Sequence, residues 1–234
     1  MKNIAIFSHK DTGAGQLLNM LPSSEVKKVK FLISINKIKK NIVNKNQKIE
    51  YVKKGKFQKI KVIEKKNFEK LLLKNKIKKV YVIEDEIKDR IFIYKKIKEK
   101  CKKIKIEKFI HKTSILSKKT KVGEGSIIFP GSYLGYKSEI GKMSIIQSKC
   151  ILEHHGIIGD FCNVNPGLTT GGLVKISDFC QINMSVDIIN RILVEKNSTI
   201  GAGSLVMKNI SKNKLVYGRP ARVIKKKKTN YKDE

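Results

Sequence analysis

From residue 110 onward an aliphatic side chain recurs every six positions. The series runs Ile110, Leu116, Val122, Ile128, Leu134, Ile140, Ile146, Leu152, Ile158, Val164, Thr170, Ile176, Ile182, Ile188, Val194, Ile200, Val206, and 16 of its 17 members are aliphatic. A second series in the same period runs from Ser126 to Ser204 through Ser132, Ser138, Ser144, Cys150, Gly156, Cys162, Leu168, Val174, Cys180, Val186, Ile192 and Ser198, and is small or aliphatic throughout. Glycine often follows the aliphatic position, as at Gly123, Gly135, Gly141, Gly159 and Gly201. A period of six fits neither an α-helix nor a lone alternating strand. It predicts a parallel sheet wound into a coil, one short strand and one turn per hexad. Three hexads close a triangular coil of 18 residues, so 110–206 makes roughly five coils, stacked about 4.8 Å apart. The bulky aliphatic of each hexad faces inward, the small residue fills the space near the corner, and the rest face out. Thr170 breaks the aliphatic series, and an inward hydroxyl bonded to backbone, or a local kink, is expected there.

The first hundred residues have a different rhythm. KNIAIFS (2–8), VKFLISI (29–35) and KKVYVIE (78–84) read as strands, while NFEKLLLKNK (67–76) and KDRIFIYKKIKEKC (88–101) have helical spacing. HKDTGAGQLLNML reads as a turn carrying Gly13 and Gly15, then a helix. Such a glycine turn can host a phosphate at the helix N-terminus, and a plain turn is the even alternative. Strands alternating with helices predict an α/β domain with a parallel sheet. The chain therefore divides into a small α/β domain (1–108), the coiled sheet (109–211) and a C-terminal segment with a basic tail (212–234).

The formal net charge of +32 invites a nucleic-acid reading. Yet 48 of the 52 basic residues are Lys and only four are Arg, and Arg is the residue that reads bases bidentately. The excess is also uneven: 32 basic against 11 acidic residues in 1–110, but only 10 against 7 in 111–206. A solvated Lys-rich surface is the reading adopted, with no nucleic-acid partner. Lys225–Lys228 reads first as an unstructured tail. Four cysteines without framework spacing suggest a reducing compartment. No run approaches the length of a membrane span, and the N-terminal apolar stretch is short for a signal peptide, so a cytoplasmic protein is expected.

The stretch CILEHHGIIGDFCNVNPG (150–167) places two histidines between two cysteines. The six-residue phase separates them. Cys150, Cys162 and Cys180 fall in the small inward series, whereas His154 and His155 follow the inward Leu152 by two and three places and face out. Groups on opposite sides of a wall cannot share an ion at distances of about 2.0–2.3 Å, so no metal is expected. Position 172 is one coil beyond 154, so Gly172 should sit beside His154, and its missing side chain leaves a groove with open backbone N–H groups. Glu153 shares the outward position, and Tyr136, one coil earlier, is the candidate for the other wall.

The hexads match the pattern [LIV]-G-x-x-[STAV]-x and resemble the left-handed β-helix of hexapeptide-repeat acyltransferases. IHKTSILSKKTKVGEGSIIFPGS, EHHGIIGDFCNVNPGLTTGG, IGAGSLVMKNI and VYGRPARVI, together spanning 109–224, resemble the sialic-acid O-acetyltransferases and the bacillosamine and perosamine N-acetyltransferases. The resemblance implies a homotrimer that binds acetyl-CoA between neighbouring β-helices and a nucleotide-sugar acceptor at the N-terminal domain. It implies that His154 is the general base, a role suited to imidazole, and that a backbone N–H near Gly172 supports the oxyanion. It places Ala202 and Gly203 along the pantetheine and Arg219 and Pro220 near the adenine end, with Arg222 and Lys225–Lys228 as further charge for the CoA phosphates. Three positions depart from the family pattern around the base. His155 stands where an acid usually follows, so Glu153, Asp160 or His155 itself is left to support His154. Gln147 replaces an Asn, and Asn163 replaces a second His; both are candidate substrate contacts, as is Gly13. In the N-terminal domain Ala14 replaces a His, and Ile33 and Ser34 replace acids, so the acceptor pocket is altered. The readings kept beside a sugar acetyltransferase are a hexapeptide acyltransferase for a non-sugar acceptor, a β-helix carbonic anhydrase, and a non-enzymatic β-helix binding protein. The carbonic anhydrase needs three separated histidines, and the chain has only His9, His111, His154 and His155.

Overall fold

Each hexad between 109 and 206 forms a two-residue strand followed by a four-residue turn. The computed structural model describes residues 2–8, 11–35, 56–57, 59–64 and 66–226, in two compact units, Met1–Glu107 and Lys108–Glu234.

In the second unit the short strands stack in parallel as three faces. The first face holds Phe109–Ile110, Ile127–Ile128, Ile145–Ile146, Asn163–Val164, Gln181–Ile182 and Thr199–Ile200; the second begins at Ile115–Leu116 and the third at Lys121–Val122. Partners in register are 18 residues apart, as in Ile127 with Ile145 and Tyr133 with Ile151. The aliphatic series lines the interior and forms one continuous core with Cys150, Cys162 and Cys180. Burying one such side chain contributes about 1.5–3 kcal/mol.

The second series does more than fill space. Ser126 Oγ donates to the Gly141 carbonyl (2.6 Å) and accepts from the Ser144 N–H (2.9 Å). Ser144 repeats this with the Gly159 carbonyl and the Cys162 N–H. The thiols continue the pattern: Cys162 Sγ donates to the Ser177 carbonyl (3.2 Å) and Cys180 Sγ to the Glu195 carbonyl (3.3 Å). Ser and Cys recur here because each bridges one coil to the next.

The corners impose a second regularity. Fifteen successive positions from Lys119 to Gly203, every sixth residue, have positive φ, and only Gly125, Gly131, Gly167 and Gly203 among them are glycine. A left-handed non-glycine residue costs about 1–2 kcal/mol, so the aliphatic burial of each hexad offsets its corner. The corner N–H groups are also satisfied: His155 donates to the Tyr136 carbonyl (2.8 Å), Leu173 to His154 (2.9 Å) and Arg191 to Gly172 (2.9 Å).

The end of the coil differs from the expected loose tail. Lys214–Tyr217 extends the first face, and Arg222–Lys226 folds back antiparallel to it, so Lys225 belongs to a strand. Lys227 and Lys228 lie outside the described residues.

The first unit is an α/β domain. Its elements are β1 (Ile4–Phe7), α1 (Asp11–Met20), α2 (Ser23–Val26), β2 (Val29–Ser34), β3 (Lys56–Phe57), β4 (Ile60–Glu64), α3 (Glu69–Lys74), β5 (Lys79–Val82), α4 (Ile87–Lys100) and β6 (Lys105–Ile106). The sheet order is β3-β4-β2-β1-β5-β6, parallel except for the β3–β4 pair. Gly13 and Gly15 lie inside α1, not in a turn before it. Gly13 is a packing glycine: a Cβ there would meet Ser8 Oγ at 3.0 Å and the Ile83 carbonyl at 3.1 Å. Ile33 and Ser34, which stand where the resembled family has acids, are fully buried at the end of β2. His9 lies outside the described residues.

Candidate histidine site on the β-helix edge

Turn 153–156 lies on the edge between the second and third faces, between strands Ile151–Leu152 and Ile157–Ile158. Leu152 is buried, and the next residues leave the wall, so both imidazoles are exposed while the three thiols lie inside. Burial drives two of these thiols up in pKa, Cys150 to about 11 and Cys162 well above the ordinary value, so these two are inert core groups. Among the described residues no group of three or more His, Cys, Asp or Glu could hold a metal ion.

His154 is held from both sides. Its Nδ1 lies 3.2 Å from Nδ1 of His155. One of these nitrogens must carry the proton and the other accept it. Its other side rests on Gly172, where a Cβ would fall 2.3 Å from His154 Nε2 and 2.4 Å from Cε1. The space above Gly172 is therefore not an open groove but the seat of the imidazole. Gly172 does not have a left-handed φ, so glycine is needed here for room and not for conformation. Among the described residues the Gly172 N–H has no acceptor.

Thr170 explains how the chain reaches this geometry. Ile151 pairs with Thr169, and the regular pairing stops there. The buried Thr170 Oγ1 accepts the Glu153 N–H (3.1 Å), the expected inward hydroxyl bonded to backbone. Glu153 in turn accepts the His154 N–H at 3.4 Å. Tyr136 meets the His155 ring edge-on at 5.8 Å, and so lies against His155. Asp160 does not support His154. It sits on the edge between the third and first faces, where it accepts the Lys142 N–H (2.8 Å) and pairs with Lys142 Nζ (3.2 Å).

The remaining candidates fall elsewhere. Ala202, Gly203, Arg219 and Pro220 gather on the edge between the first and second faces, where Arg219 Nη1 donates to Asp187 Oδ2 (2.9 Å) and the Gly203 carbonyl (3.3 Å). Nothing lies within 4 Å of a Cβ on Gly203, so the backbone there is open. Gln147 is on the same edge, and Asn163 is on the first face beside Gln181. In one chain the second face separates this group from the histidines. Gly13 belongs to the other unit. The Arg219–Asp187 pair escaped the sequence reading, since 32 residues part its members. His111 opens the β-helix, with its ring nitrogen on Thr113 Oγ1 at 2.8 Å.

No protein-family model matches the chain, and no curated protein matches it. Among solved structures, PerB from Caulobacter crescentus in complex with CoA and GDP-perosamine matches with a TM-score of 0.78 at 16% identity, over 95% of this chain and 97% of that one. The acetyltransferase domain of PglB from Neisseria gonorrhoeae in complex with acetyl coenzyme A matches with a TM-score of 0.74 at 15% identity, over 95% and 99% of the two chains. WeeI from Acinetobacter baumannii gives 0.61 at 16% identity, over 95% and 99%. The chain thus has the fold of these proteins, an α/β domain followed by a left-handed parallel β-helix.

Proposed function

We propose that the protein is an acetyl-CoA-dependent acetyltransferase acting on an amino or hydroxyl group of a nucleotide-linked sugar, with His154 as general base. The observation that carries this reading is the seating of His154: Nδ1 held by His155 and Nε2 over Gly172. The fold match adds support, because the matched perosamine enzyme is described in complex with CoA and GDP-perosamine.

In this scheme Nε2 of His154 removes the proton from the acceptor nitrogen or oxygen as that atom bonds to the thioester carbonyl carbon. Nδ1–H of His154 donates to Nδ1 of His155, which orients the ring and supports the imidazolium. The Gly172 N–H donates to the oxyanion. Collapse breaks the carbon–sulfur bond, and the proton on His154 passes to the departing thiolate, so free CoA and an acetylated acceptor result. Ala202 and Gly203 give the pantetheine an open backbone to lie along, and Arg219 and Pro220 flank the adenine end. Because the second face separates that edge from the histidines, a complete site is formed between neighbouring copies of a homotrimer. No described helix is long and apolar enough to cross a membrane, and the proposed setting is the cytoplasm.

The test is thiol release from acetyl-CoA across a panel of GDP- and UDP-linked amino and hydroxy sugars. Wild-type protein is expected to turn over at least one of them, and His154→Ala to lose roughly 10²-fold or more in kcat with its fold unchanged by circular dichroism. Absence of turnover with every acceptor, or full turnover by the purified variant, contradicts the reading.

A further inference from the structure

The edge that carries the histidines bears Lys119 and Lys137 on its N-terminal side and Arg191 and Lys208 on later coils. One coil toward the C-terminus it presents Gly172 and the exposed Leu173. Toward the N-terminus it presents Tyr136, Lys137 and Lys119. Lys137 Nζ lies 5.3 Å and Lys119 Nζ 5.9 Å from the centroid of the same Tyr136 ring. That ring meets His155 edge-on at 5.8 Å, so the cations adjoin the histidine pair.

These lysines are not a sample of the general Lys excess. Residues 111–206 hold only 10 basic residues against 7 acidic. Three other lysines of the β-helix face acids: Lys121 with Glu139 (2.7 Å), Lys142 with Asp160 (3.2 Å) and Lys196 with Asp178 (3.6 Å). Among the described residues neither Lys119 nor Lys137 has an ion-pair partner. Two ammonium groups sharing one aromatic ring repel each other, and an anion placed between them removes that cost.

We infer that Lys119 and Lys137, arranged about Tyr136, bind a phosphate or diphosphate group carried by the acceptor, beside the histidine pair. This rests on the acetyltransferase reading and names the part of the acceptor that the β-helix itself recognises. CoA also carries phosphates. Its candidate contacts Ala202, Gly203 and Arg219 lie on later coils, however, as do Arg191 and Lys208 of the histidine edge. The phosphate on the N-terminal side is therefore the acceptor's. At Gly13, by contrast, the packing of α1 against Ser8 and Ile83 leaves no vacant room at the glycine.

The double variant Lys119→Gly, Lys137→Gly tests this without straining the fold, because both residues have positive φ (63° and 57°), which glycine adopts freely. Thiol-release kinetics are measured with GDP- and UDP-linked amino sugars, with the same sugars free of phosphate, and with acetyl-CoA varied separately. The expected result is a rise of about tenfold or more in KM for the nucleotide-linked acceptor. KM for acetyl-CoA and kcat stay within about twofold, and the phosphate-free sugar is used poorly by wild type and variant alike. An unchanged acceptor KM overturns the inference, as does a wild type that prefers the phosphate-free sugar. A rise in the acetyl-CoA KM alone assigns the lysines to CoA and overturns it too. Each of these leaves the acetyltransferase reading intact. Wild type that releases no thiol with any acceptor takes both down.

Discussion

His155 occupies a corner position with φ of 55° and keeps its Nδ1 3.2 Å from that of His154. A base working at Nε2 needs its Nδ1 proton directed at an acceptor, and Nδ1 of His155 is placed to be that acceptor. A carboxylate does the same with more charge. Asn and Asp tolerate the left-handed corner, so they separate chemistry from folding. His155→Asn is expected to lower kcat about tenfold with KM unchanged, and His155→Asp to restore turnover to within a few-fold of wild type. Equal kcat for wild type and His155→Asn would show that the second imidazole does nothing for the first. The pairing of His154 with Gly172 was legible in the sequence, because a fixed coil length turns spacing into contact. What Gly172 does was not: arithmetic places two residues side by side, but only coordinates show that the ring fills the missing side chain's volume. Thr170 was legible as an exception because it broke an otherwise aliphatic series.

At the scale of the element, the six-residue period was plain because burial selects one residue type at one phase. The left-handed corner phase was hidden because Lys, Phe, Met, Leu, Ser, Asn, His and Arg all occupy it. Its signal is negative: none of the eleven non-glycine corner residues from Lys119 to Asn197 is Val, Ile or Thr, the types that fit a positive φ worst. Lys149, exposed and with φ of 58°, tests this. Lys149→Ile is expected to lower the melting temperature, because its β-branch adds to the strain that Lys149 already bears, whereas Lys149→Asn stays at or above wild type. A thermal melt that ranks the two the other way removes the corner argument. The start of α1 was misplaced for a related reason. Glycines suggest turns, and here Gly13 serves close packing of a helix against Ser8 and Ile83 instead. The closing hairpin was hidden by its own lysines, which read as solvated tail although Arg222–Lys226 pairs with Lys214–Tyr217.

For the whole molecule, the candidate residues form two groups on different edges of one β-helix, the histidines on one and Gly203 with Arg219 on the other. A single transfer site that uses both groups requires a second copy to bring the edges together. Light scattering at micromolar concentration is therefore expected to give close to three times the 26.7 kDa chain mass. A monomer of that mass with full turnover would contradict a shared site.

The role of His154 as base is tested most directly by thiol release with Gly172→Ala. The three atoms nearest the added methyl all belong to the His154 ring, with Nε2 at 2.3 Å, and the backbone at 172 is not in the left-handed region, so the ring is expected to move while the coil stays. A fall of roughly 10²-fold or more in kcat is expected at an unchanged melting temperature. Full activity at that same melting temperature would mean that the seat of His154 has no part in the reaction.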